Sequence, residues 1–163
     1  MSKIKVIYVP VEGYPQEIEI EDELEPMYQL VGGYIETVPF ISPVPLRGNY
    51  LIVCNEEGKL LGLPTNIEIA GGLDYICGDC FIVRRAGPEF VSVSDKALEA
   101  VERYVRDNDL STWRIAWEEA QGDLEEQFDE LIIQGDALDA LCQLKRLLEG
   151  SGGQQSASDN KEV

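Results

Sequence analysis

The chain has 163 residues, 44% of them apolar, enough for one domain with a core and an appendage beside it. Its formal charge is −18, from 31 acidic and 13 basic residues spread alike on both sides of Asp95, and the only adjacent basic pairs are Arg84-Arg85 and Lys145-Arg146. Such a field repels nucleic-acid phosphate and disfavours an anionic membrane, so direct nucleic-acid binding would need a local basic patch that the sequence lacks, and the lack of any histidine excludes a histidine-based triad and the usual zinc hydrolase sites.

In chain order, Lys3 to Val9 alternates charge with Ile4, Val6 and Tyr8, the pattern of a half-buried strand. Val11 to Pro15 turns the chain and Gln16 to Ile20 alternates back, which predicts an opening hairpin. Asp22 stands three residues before Glu25 in a capping-box-like start, and Pro26 falls in the first turn, where its missing N–H does no harm. Leu24, Met27, Leu30 and Val31 then share one face of a short helix. Gly32-Gly33 ends it as a C-cap, or alternatively brings the backbone close to a ligand. Tyr34 to Val38 reads as a third strand, while Pro39 to Arg47, with Pro43 and Pro45, is a surface loop or an edge.

Tyr50 to Asn66, YLIVCNEEGKLLGLPTN, is the stretch around which the chain is organised. Its β-branched start predicts a buried strand, Asn55-Glu56-Glu57-Gly58 a turn, and Lys59 to Leu63 a returning strand. Asn55, Glu56 and Glu57 read either as a solvated turn or, with Asn66, as the lining of a site. Ile67 to Tyr75, with Gly71-Gly72, reads as a loop and Ile76 to Arg84 as one strand. Ser94 or Asp95 is expected to cap a second helix, in which Ala97, Leu98, Val101, Tyr104 and Val105 fall at helical spacing.

Three stretches, Val31 to Glu36, Cys54 to Asn66 and Ile76 to Val83, together resemble the domain of unknown function 3846 family of bacteria, their phages and mobile elements. The resemblance covers about Lys3 to Arg106 and implies no activity, because the family has none assigned. The chain departs from the family pattern after Asn66, where relatives carry a longer acidic insert, and at Cys77 and Cys80, where they carry other small or apolar residues.

Beyond Asp107, Trp113, Ala116, Trp117 and Ala120 form an amphipathic stripe, Leu124, Phe128, Leu131 and Ile132 repeat it, and Ala137, Leu141, Leu144 and Leu148 begin a third helix. Gly122 and Gly135 are expected to separate the three. The expected fold is α+β: a mixed, mainly antiparallel sheet with two packed helices over residues 1–106, a helical appendage over 107–149, and a disordered tail over 150–163. Short helices are marginal alone in water, so docking on the sheet, with Trp113 and Trp117 buried, is expected; the alternative is that the stripe serves a partner or a second copy.

Candidate chemistry is sparse. Cys77-Gly78-Asp79-Cys80 is a lone CxxC inside a predicted strand, and Cys54 and Cys142 complete no ligand set, so no metal or cofactor is expected. The first residues lead into an ordinary strand and no apolar run approaches the roughly 18 residues that span a bilayer, so a cytoplasmic location is expected, the host cytoplasm if the protein is phage-encoded. The expected function is a non-catalytic acidic interaction protein that binds a protein partner, in one version as a DNA mimic, with Trp113 and Trp117 as contact residues. The alternative is a small-molecule or nucleotide-binding module in which Gly32, Gly33, Asn55, Glu56, Glu57, Lys59 and Asn66 surround a pocket. An enzyme is the weakest class.

Overall fold

The computed structural model describes residues 2–133 and 145–146, and divides into two units, Met1–Ile115 and Ala116–Val163. In the first unit, β1 (Lys3–Val9) and β2 (Gln16–Glu21) form the antiparallel opening hairpin, in register from Lys3 against Glu21 to Tyr8 against Gln16. The chain then enters α1 (Leu24–Val31) and returns as β3 (Ile35–Pro39) and β4 (Asn49–Asn55), joined by the proline-bearing loop. β5 (Thr65–Ile69) and β6 (Asp74–Cys77) form a separate two-stranded sheet; β7 (Cys80–Ala86), β8 (Glu89–Val91) and α2 (Ala97–Asp107) follow.

The main sheet runs β2-β1-β7-β4-β3, with β8 added along β7, and every pairing among the described residues is antiparallel. Strand β7 is central and covered on both faces. Phe81 and Val83 point into one cluster with Met27 and Val31 of α1; Cys80 and Ile82 point into another with Ala97, Val101 and Val105 of α2 and Ile67, Ile69 and Ile76 of the small sheet. That is why Cys80 to Val83 reads as a continuous apolar run rather than an alternating one. Each such side chain removed from water contributes about 1.5 to 3 kcal/mol. The α+β class, with a mainly antiparallel sheet and two packed helices, is the observed one.

Several local expectations are corrected. Lys59 to Leu63 does not return as a strand, because both edges of β4 are already taken, by β7 and β3. Residues 56–62 instead make successive turns, in which Leu61 N–H donates to Glu57 O, Gly62 N–H to Lys59 O and Leu63 N–H to Gly58 O. Leu60 and Leu61 are left in solvent. The segment read as a loop, Ile67 to Tyr75, is the β5–β6 hairpin around a 3-10 turn, and the single strand expected from Ile76 to Arg84 is two strands split at Gly78, whose φ of 87° breaks the extended run.

Neither helix carries the expected side-chain cap. Glu23 and Lys96 hold the N-cap positions without a side-chain bond, and the Ser94 hydroxyl accepts from Tyr50 OH at 3.1 Å instead. Gly122 does not interrupt the last helix: α3 runs without a break over Thr112–Ile133. A glycine costs about 1 kcal/mol in a helix interior, too little to divide one of this length. The expected third helix and tail lie outside the described residues, apart from helical Lys145 and Arg146.

Candidate functional site

The predicted site residues fall into two groups. In the first, Gly32 is the left-handed C-cap of α1 (φ 80°), its N–H and that of Gly33 both donating to Tyr28 O at 2.8 and 3.0 Å. A Cβ on Gly33 would lie 2.9 Å from Asn55 Nδ2, so this turn and the end of β4 are in direct contact. Asn55 is buried; its Nδ2 donates to Val31 O at 3.2 Å and its Oδ1 accepts from Glu57 N–H at 2.8 Å. Asn55 therefore extends the cap of α1, satisfying a carbonyl that the helix end leaves open. Glu56 and Glu57 have exposed side chains. Lys59 is exposed too, paired with Asp74 and 4.5 Å above the Tyr75 ring. The Asp74 contact holds the lysine amine above its ordinary pKa and the Asp74 carboxyl below its own.

Asn66 belongs to the second group and is fully buried. Its Nδ2 donates to Val9 O and Gly78 O, both at 2.9 Å, and its Oδ1 accepts from Arg114 at 2.6 Å. Arg114 is itself fully buried, and its guanidinium reaches Asp109 Oδ1 at 3.0 Å, Pro10 O at 2.7 Å, Gly13 O at 3.2 Å and Asn66 O at 2.9 Å. Ser111 caps α3, its Oγ accepting from Arg114 N–H at 3.2 Å and donating to Val11 O at 2.6 Å. One arginine on the first turn of α3 thus ties the β1–β2 turn, β5 and the segment after α2 together.

The amphipathic reading of the Trp113 to Ala120 stripe assigns Arg114 no role and misses this hub. Two signals point to it: Arg114 is the one cation between Asp107 and Ile133, and Ser111 three residues earlier is in N-cap position. The same bonds make residues 107–115 part of the first unit. Trp113 packs edge-on against Tyr14, with ring centroids 6.1 Å apart, yet is 37% exposed, and Trp117, across the unit boundary, is 40% exposed. The burial expected of both tryptophans is not observed.

Between the two groups lies a cleft of about 370 Å³. Pro10 to Glu12 form one side, Gln29 to Gly32 another, and Leu63, Pro64, Gly78 and Asp79 the rest. Asn55 and Asn66 stand behind the lining, holding the Val31 and Gly78 carbonyls, and neither lines the space. The Asp79 carboxylate does line it, with Oδ1 accepting from Val11 N–H at 2.8 Å and Oδ2 from Tyr8 OH at 2.9 Å.

The three cysteines among the described residues do not form a reactive set. Cys77 ends β6 and Cys80 starts β7, and they and Cys54 are buried free thiols. Burial raises all three pKa values, that of Cys54 to about 12, which keeps them protonated and poor nucleophiles at neutral pH. Among the described residues no three His, Cys, Asp or Glu side chains are grouped to hold a metal ion, and no helix is long and apolar enough to cross a membrane.

Comparison with known proteins gives one match: residues 4–106 fit the model of the family described as Domain of unknown function (DUF3846). No curated protein and no solved structure matches the chain.

Proposed function

The chain belongs to this family of unknown function, and on that premise we propose that it is a non-catalytic acidic interaction protein of bacterial, phage or mobile-element origin, which acts in the cytoplasm by binding a protein with a basic surface. The observation that carries the reading is the charge of −18 on a chain with only 13 basic residues. One of those cations, Arg114, is buried, and another, Lys59, is paired with Asp74. Such a field accelerates encounter with a basic partner and repels polyanions. Where the partner is a DNA-binding protein, the acidic face takes the place of phosphate.

The alternative, a small-molecule or nucleotide site at the Asn55–Asn66 stretch, has less support. Both asparagine amides are engaged by internal backbone groups, and no buried side-chain polar atom among the described residues lacks a hydrogen-bond partner. Two measurements separate the readings. Pull-down from bacterial lysate should recover a discrete protein at low salt and release it at high salt; recovery of none overturns the interaction reading. A thermal-shift panel of nucleotides and metabolites should leave the melting temperature unchanged, whereas a saturating ligand that raises it favours the alternative.

A further inference from the structure

The cleft between α1 and the β1–β2 turn has a chemistry more specific than the general acidity of the surface. Its walls are apolar at Val11, Leu30, Leu63 and Pro64, and its 370 Å³ falls near the lower end of the range for ligand pockets, about 300 to 1,000 Å³. One rim is the carboxyl end of α1, where the last carbonyls of a helix have no donor within it and the dipole is negative. Asp79 also lines the cleft. Its carboxylate is held in place by Tyr8 OH and Val11 N–H, one on each oxygen, and each oxygen keeps acceptor capacity beyond that single bond. Glu12 adds a second carboxylate to the lining, and among the described residues no basic side chain lines the space. Arg114 approaches from behind Pro10, but its guanidinium is wholly buried and bonded to Asp109 and backbone carbonyls.

A cleft with apolar walls and a carboxylate held by two hydrogen bonds fits one chemical class. It disfavours phosphate and carboxylate ligands, and a purely apolar group would leave the Asp79 carboxylate without a counter-charge. We propose that the cleft receives a single cation on an aliphatic stem, the chemistry of an arginine or lysine side chain, with the stem against Leu30, Leu63 and Pro64 and the charged head on Asp79. A planar guanidinium offers several donors at once, enough for both Asp79 oxygens together, whereas an ammonium presents three from one point. The inference rests on the preceding reading only for the source of the cation, a partner's side chain; the cleft itself would accept a free alkylguanidine equally.

The test is titration of the ¹⁵N-labelled full chain, followed by amide NMR shifts, with butylguanidinium, with its uncharged isostere N-butylurea, and with the end-blocked peptide Gly-Gly-Arg-Gly-Gly. Butylguanidinium should give saturable shifts concentrated at residues 11–12, 29–32, 63 and 78–79, and the urea should bind at least tenfold more weakly. Asp79→Asn, which keeps the size of the side chain, should abolish the effect. So should Gln29→Lys, a change at an exposed helix position that leaves the core intact and sets a competing cation at the rim. Shifts scattered over the acidic surface, or unaltered in both variants, overturn the cleft while leaving the acidic interaction reading in place. Entry of the peptide as well as the free cation supports a partner's side chain as the source. Entry of the free cation alone upholds the cleft and overturns the protein-partner reading.

Discussion

Asn55 and Asn66 look alike in the sequence, each closing an apolar stretch, and both are buried in the fold, but they do different work. Asn55 is satisfied nearby: its partners are the end of α1, 24 residues back, and the amide two residues on. Asn66 is satisfied across the whole unit, by Val9, 57 residues before it, and by Arg114, 48 residues after it. The first finishes a helix. The second closes a network without which a guanidinium and several carbonyls would be stranded in a dry interior, so the two regions should differ sharply in what a deletion costs.

The largest expected effect tests where the first unit ends. A chain ending after Asn108 loses Ser111 and Arg114 and leaves Asn66, Pro10 and Val11 without their partners; it should lose on the order of 5 kcal/mol, or fail to fold. A chain ending after Ile115 keeps all of these bonds and should unfold cooperatively in urea. Equal stability of the two would show that the hub contributes nothing.

Next in size is the arginine itself. Arg114→Met removes the charge and its donors, strands Asp109 and Asn66 Oδ1, and should cost about 3 to 5 kcal/mol by chemical denaturation. Arg114→Lys should recover little, because an ammonium cannot reproduce the fork that serves Asp109, Pro10 and Asn66 together. Asn66→Ala combined with Arg114→Met should cost clearly less than the two separate losses added, since each change breaks the same bonds. Additive losses would mean the two residues act independently.

The contrast also explains which parts of the fold could be read from the sequence. The opening hairpin, α1 with its Gly32 cap, β3, β4 and α2 rest on period and on neighbouring residues, and all are where the pattern puts them. The returning strand after Gly58 is absent for a reason no local window contains, namely that β7 occupies the edge of β4 it would need. The β5–β6 hairpin is hidden because Glu68 and the Ala70-Gly71-Gly72 turn dilute the apolar signal between Ile67 and Ile76. At the candidate site, contact between Gly33 and Asn55 was within reach of sequence reasoning; the burial of Asn66 beside Arg114 was not, because long-range hydrogen bonds leave no periodicity.

On the Asn55 side the effects shrink. Asn55→Ala leaves the Val31 carbonyl and the Glu57 amide to find water and should cost about 1 to 3 kcal/mol, less than Asn66→Ala measured the same way. The reverse order would undo the distinction between a local cap and a unit-wide hub.

The smallest predicted difference is one of pH. Beside the hub, Tyr8 has its pKa raised from 10.0 to about 12, first by burial and then by its hydrogen bond to Asp79. A phenol whose folded pKa lies above its unfolded value contributes stability that is fully present below about pH 10 and is lost as the pH rises through about 12. Burial raises the Cys54 thiol in the same direction, from 9.0 to about 12, so its loss begins about one pH unit earlier. Tyr8→Phe should therefore change neutral stability by only about 1 kcal/mol, the worth of one hydrogen bond, while making the decline above pH 10 shallower. Cys54→Ala should flatten the decline from pH 9 upward and leave the Tyr8 arm in place. Urea midpoints taken from pH 7 to 11 resolve the two; an unchanged alkaline slope in Tyr8→Phe would show that the phenol bonded to Asp79 is not held against ionisation by the fold.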